Sequence, residues 1–85
     1  MIDNLLVKIN CKIYKGFMYE IPNDKATKMS SIEIIDEVKN YMSDFFKYNN
    51  LVYLSENIKT VDFHIHDDIP YNRNVIYLCD DTHGN

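Results

Sequence analysis

Apolar and polar residues alternate from the fifth position. Leu5, Val7 and Ile9 fall on one side and Leu6, Lys8 and Asn10 on the other, and apolar residues return at Ile13, Phe17, Tyr19 and Ile21. A period of two marks half-buried strands, so residues 5–21 are predicted to form a β-hairpin. A loop at Asn10-Cys11-Lys12 would set Ile9 opposite Ile13 and Leu5 opposite Phe17, with apolar side chains on one face. Lys15 would then point inward. A bulge at Gly16 is the expected remedy, because an extra residue at a strand glycine turns the lysine out before Phe17.

After Pro22 the period changes. Asn23 to Lys28 is a polar loop, and then Ile32, Ile35, Val38, Met42, Phe45 and Phe46 recur at helical spacing, with Glu33, Asp36, Glu37, Lys39, Asn40 and Lys47 on the other side. The spacing predicts a helix over 31–48. Ser30 and Glu33 stand three apart as a capping box requires, and Asn49-Asn50 can end the helix in left-handed geometry. Strands are predicted next, a short one at Leu51 to Leu54, a clearer one from Ile58 to about Asp67, and a last one from Val75 to Asp80. Ile69 to Asn74 is the turn between the last two, and residues 81–85 form a polar tail. The expected fold class is α+β: a small antiparallel sheet with one amphipathic helix packed on one face, in the order ββαβββ. Hairpin-length links favour antiparallel neighbours, and such a helix needs an apolar partner.

Eighty-five residues leave room for one core, so a single domain over 1–85 is expected. Apolar residues at 46% and charged residues at 26% match ordinary globular composition. So small a domain gains stability from self-association, which leaves a homodimer open. No apolar run reaches the roughly 18–20 residues that span a bilayer, and the first residues lack the basic start of a signal peptide, so no membrane partner is expected and the expected location is cytoplasmic. Cys11 and Cys79 form no CxxC pair and are expected to be reduced thiols. Abundant Ile, Asn, Lys and Tyr is what AT-rich codons produce, as in low-GC bacteria and their phages.

The formal charge of −4 is unevenly spread. Seven lysines before position 50 are matched by seven acidic residues, whereas from Leu51 onward Glu56, Asp62, Asp67, Asp68, Asp80 and Asp81 face only Lys59 and Arg73. That excess speaks against direct nucleic-acid binding by the second half and favours a protein partner with a basic surface. Tyr71, Arg73 and Tyr77 lie among those carboxylates, and aromatic and arginine anchors with flanking charge suit a protein interface. The plainer reading is a solvated acidic face.

Alternation over Thr60 to His66 turns Val61, Phe63 and Ile65 one way and Asp62, His64 and His66 the other. If the last two strands pair, His66 stands opposite Tyr77 and His64 opposite Cys79. His64, His66 and Cys79 are then candidate metal ligands, although a flat strand pair rarely closes a metal site and an outer sheet face is polar without any ligand. The string His64-Ile65-His66-Asp67-Asp68 overlaps the HxHxD part of the metallo-β-lactamase motif, but Ile69 stands where that motif needs another histidine, and no role is carried over. A Cys79–His64 nucleophile lacks an orienting third residue and an oxyanion loop. Two glycines, Gly16 and Gly84, cannot build a phosphate-binding loop. Lys8, Lys12 and Lys15 around Tyr14 form a modest basic edge that would suit a nucleic-acid backbone, or simply protect a sheet edge.

These features lead to the expectation of a non-enzymatic protein-binding domain without a cofactor. The specific form expected is a small phage or mobile-element inhibitor, of anti-CRISPR or other anti-defence type, whose acidic surface mimics nucleic acid and blocks a basic groove. Its interface would comprise Glu56, Asp62, Asp67, Asp68, Tyr71, Arg73, Tyr77, Asp80 and Asp81. The alternatives are a metal-binding protein or enzyme using His64, His66 and Cys79, and a nucleic-acid-binding accessory protein.

Overall fold

The computed structural model describes residues 4–66 and 74–80. Strand β1 (Leu5–Cys11) and strand β2 (Tyr14–Ile21) form the expected hairpin. Its register differs by four residues from the expected one. The turn is Lys12-Ile13, Cys11 pairs with Tyr14, Ile9 with Phe17 and Leu5 with Ile21. The observed register buries Val7, Ile9, Cys11, Phe17 and Ile21 together. The bulge does fall at Gly16, between the Asn10–Lys15 and Ile9–Phe17 pairs, and Gly16 has φ +79°. A side chain there would meet nothing within 4 Å, so the backbone angle, not space, calls for glycine.

A short helix α1 (Asn23–Ala26) follows β2, in place of the expected loop, and leads into helix α2 (Ser31–Tyr48). Both ends of α2 are closed by local chemistry. Glu33 N–H donates to Ser30 Oγ at 3.2 Å, and Ser30 N–H donates to Glu33 Oε1 at 2.8 Å, completing the capping box. At the other end Asn50 adopts φ +64°, and the N–H of Leu51 reaches the carbonyl of Phe46 at 2.6 Å, a Schellman closure. The buried stripe is Ile34, Val38, Met42, Ser43 and Phe46, with Ile35 and Phe45 beside it. Ile32, expected on that stripe, is 71% exposed, because at about 100° per residue it falls well to one side of the line through Ile34, Val38 and Met42.

Residues 51–54 do not form a strand. Val52–Ile58 is helix α3, and its buried positions Leu54, Ser55 and Ile58 follow helical spacing from Leu51. Val52 and Tyr53, which a strand would have had to pair, face outward. Strand β3 therefore begins later than expected, at Phe63–Ile65, and pairs antiparallel with β4 (Val75–Asp80), while positions 67–73 of the expected strand end and turn, and the expected tail 81–85, lie outside the described residues. The link between α2 and this region is tied by Lys39, whose Nζ donates to the carbonyl of Val61 at 3.0 Å.

The fold is α+β, a four-stranded sheet in the order β2-β1-β4-β3 with helices on one face. The sheet is mixed, not wholly antiparallel, because β1 and β4 run parallel while both outer pairs are antiparallel. Topology explains the parallel centre. The chain leaves edge strand β2, crosses the sheet through three helices, lays β3 on the opposite edge and returns through β4 into the gap beside β1. The hairpin rule governs consecutive strands, and β1 and β4 are not consecutive.

The core is aromatic at one end. Phe46, fully buried, sits 5.0 Å from the Tyr14 ring, 6.0 Å from Phe45 and 6.4 Å from Phe17, all edge-on. Above it, Tyr19 donates its hydroxyl to Glu37 Oε2 at 2.9 Å, and Lys25 Nζ donates to the same oxygen at 2.9 Å. Lys25 and the tyrosine hydroxyl hold the Glu37 carboxyl below its ordinary range, while burial and then the Glu37 partner push Tyr19 up to about 12. This trio fastens β2, α1 and α2 together.

Candidate binding face

All three helices pack on one side of the sheet, and among the described residues no helix or strand covers the other side, where strand alternation places every second side chain. Inward go Val7, Ile9, Cys11, Phe17, Ile21, Phe63 and Leu78, all buried. The side chains between them stand on the outer face in rows defined by the register. Glu20, Leu6 and Val75 form one row, Met18, Lys8 and Tyr77 the next, and Lys15, Asn10, Cys79 and His64 a third. His66 extends the middle row, since its N–H donates to the carbonyl of Tyr77 at 2.8 Å.

The middle of this face combines a cation with a ring. Lys8 Nζ lies 5.6 Å from the centroid of Tyr77, within cation–π range. At the hairpin end, Asn10, Lys12, Lys15 and Cys79, with Cys11 and Asp80 behind them, line a cavity of about 250 Å³. Lys8, Lys12 and Lys15 thus gather on one side of the sheet and at its turn, with Glu20 in the far row and exposed Asp62 just before β3 as the described carboxylates nearest that face.

The expected pairing of β3 with β4 is present, with His64 opposite Cys79. Val61, Phe63 and Ile65 all pack toward the core, and His64 and His66 are exposed. Among the described residues no three His, Cys, Asp or Glu side chains converge as metal ligands, so His64, His66 and Cys79 are not brought into one set. Burial and then the Asp80 charge raise the Cys79 thiol above the ordinary range, which disfavours the thiolate. Burial likewise raises Cys11, outweighing its backbone hydrogen bonds. The two free thiols stand on opposite faces, Cys11 inward and Cys79 outward.

The expected acidic interface is altered in one decisive place. Asp80 is 4% exposed and points inward at the end of β4, where its Oδ2 accepts the backbone N–H of Lys12 at 3.0 Å. Alternation from Leu78 dictates that direction, and the hairpin turn supplies the donor. Asp80 is therefore a tether between the last strand and the β1–β2 turn, not a surface charge. Glu56 is exposed on α3 and Asp62 in the linker before β3, while Tyr77 is half-buried on the outer face. Asp67, Asp68, Tyr71, Arg73 and Asp81 lie outside the described residues.

Lys8, Asn10 and Lys15 share a face with His64 and Tyr77 only because β1 lies beside β4. The alternation of Leu6, Lys8 and Asn10 signalled their outward direction, but nothing local signalled the neighbour. Among the described residues no helix is long and apolar enough to cross a membrane. Compared with known proteins, the chain matches no family model, no curated protein and no solved structure.

Proposed function

We propose that this protein is a non-catalytic binding domain that occupies another macromolecule through the uncovered face of its sheet. The observation that carries the reading is the one-sided helical layer. It leaves Met18 (59% exposed), Tyr77 and Lys8 in one row, with Lys15 and Asn10 in the next, as a continuous mixed surface of apolar, aromatic and cationic groups. Such a mixture suits recognition. The raised thiols of Cys11 and Cys79 support a binding role over a thiolate-dependent one.

A second reading keeps an acidic interface that imitates nucleic acid and blocks a basic groove, as an inhibitor of a nucleic-acid-processing partner would. It is favoured by the exposure of Glu56 and Asp62, and it no longer includes Asp80. Affinity capture from a lysate of the native host, with cross-linking and mass spectrometry, separates the two. The outer-face reading expects a specific partner to be lost with Met18→Asp/Tyr77→Asp and kept with Glu56→Gln/Asp62→Asn. The opposite pattern overturns it in favour of the acidic interface.

A further inference from the structure

Resting on the outer-face reading, we propose that the occupant of that face is single-stranded nucleic acid. Net charge argues the other way for the whole chain, but the structure places most of the described carboxylates, together with Lys25, Lys28, Lys39, Lys47 and Lys59, on the helical side. Of the described carboxylates, Asp24, Glu33, Asp36, Asp44, Glu56 and Asp62 are exposed on the helices and their linkers. Glu37 is held by Lys25 and Tyr19 on the helical side, and Asp80 is buried beneath the hairpin turn. The outer face carries Lys8 and Lys15, with Lys12 at the adjoining turn, against Glu20 in the far row and Asp62 just before β3. Among the described residues the cations of this face outnumber its carboxylates, which suits a phosphate chain.

Chemistry beyond charge points to bases as well as phosphates. Lys8 Nζ sits over the Tyr77 ring, so a nucleotide reaching that row finds a cation for its phosphate and, as Lys8 moves onto that phosphate, a ring to stack on. Asn10, exposed one row away, offers both a donor and an acceptor to a base edge. His64 and His66 continue the two rows onto β3 with further planar side chains. Three spacings of about 4.8 Å separate the four strands, so the face is about 14 Å wide, room for a few nucleotides. A sheet face has no helix or ribbon to enter a duplex groove, and stacking requires a base whose own face is free. Both facts select a single strand over a duplex.

Fluorescence anisotropy of a labelled oligothymidylate of about 15 nucleotides, titrated with the full chain at about 0.1 M salt, tests the proposal, with a duplex of the same length in parallel. Few cations contact the strand, so the expected dissociation constant is about 1–100 μM, and the duplex should bind at least about fivefold more weakly. Lys8→Gln/Lys15→Gln should weaken binding about tenfold or more and flatten the dependence of log K on log salt by about 1.4, at about 0.7 per phosphate. Tyr77→Leu should weaken binding about fivefold or more without changing that slope, while Tyr77→Phe retains it. Glu56→Gln/Asp62→Asn should bind at least as well as the parent.

Absence of binding up to about 200 μM, an unaffected lysine double variant, or a duplex that binds as tightly as the single strand overturns the proposal. If the oligonucleotide does not bind but the host partner is still captured in a face-dependent way, the occupant is a protein and the outer-face reading stands. If neither binds, the outer-face reading falls with it. Circular dichroism of each variant establishes that a lost signal is not a lost fold.

Discussion

The two faces of this sheet are built from the same four strands, one residue out of step, and they obey opposite rules. On the inner face Val7, Ile9, Phe17, Ile21 and Leu78 lose nearly all contact with water against α2 and α3. On the outer face Lys8, Asn10, Lys15, Met18 and Tyr77 keep much of theirs. The inner face also admits one carboxylate, Asp80, because a backbone N–H of the neighbouring turn is placed to receive it. Burial makes the inner face a constraint on folding, while the lack of a covering layer leaves the outer face available for recognition.

The contrast is broken most sharply from the inside. Phe46→Ala removes a fully buried ring packed against Tyr14, Phe17 and Phe45, and should cost about 3–5 kcal/mol in urea denaturation, a large part of the stability of so small a domain. Asp80→Ala leaves the Lys12 N–H without its carboxylate and should cost about 1–3 kcal/mol. Asp62→Asn, at an exposed position, should shift stability by no more than about 0.5 kcal/mol. Equal effects at Asp80 and Asp62 would contradict the assignment of Asp80 as a tether.

Alkaline titration sharpens the comparison at the rim of the core. The folded state raises Tyr19 to about 12 from an ordinary 10.0, so its contribution is complete below pH 10 and is lost as the pH climbs toward 12. Glu37 is lowered, so its contribution is present above its ordinary 4.5 and is lost as the pH falls through its folded value. Urea denaturation at both extremes should show Tyr19→Phe losing less stability than the parent on the alkaline side. A smaller effect is expected at Ser43, whose buried hydroxyl finds no hydrogen-bond partner among the described residues. Ser43→Ala should leave stability unchanged or raise it by up to about 1 kcal/mol in the same assay. Smallest of all, Lys15→Gln on the outer face should move the midpoint by no more than about 0.5 kcal/mol while weakening oligonucleotide binding.

Elements governed by near neighbours in the chain were readable from residues alone. Helix α2 begins and ends where Ser30, Glu33 and Asn50 dictate, and the bulge falls at Gly16, because caps and left-handed angles are decided within a few residues. The pairing of His64 with Cys79 followed from alternation on the two strands. Misreadings arose where two local patterns competed. Leu51-Val52-Tyr53-Leu54 has strand-forming residues, yet the spacing of Leu51, Leu54 and Ile58 is helical, and packing of that stripe against the core decided for α3. The hairpin register likewise depended on which inward set the helix covers.

By itself the chain determined an α+β composition, the course of α2, the bulge, and the direction of the side chains around Phe63. Only tertiary structure decided that β4 lies parallel beside β1, that Asp80 is buried under the Lys12 turn, and that Lys8 meets Tyr77 across the outer face. Those outcomes join residues some 70 positions apart in sequence, as the Lys12–Asp80 separation of 68 shows. Periodicity along one strand says which way a side chain points. Which strand will lie next to it is settled by how the helices close over the whole sheet.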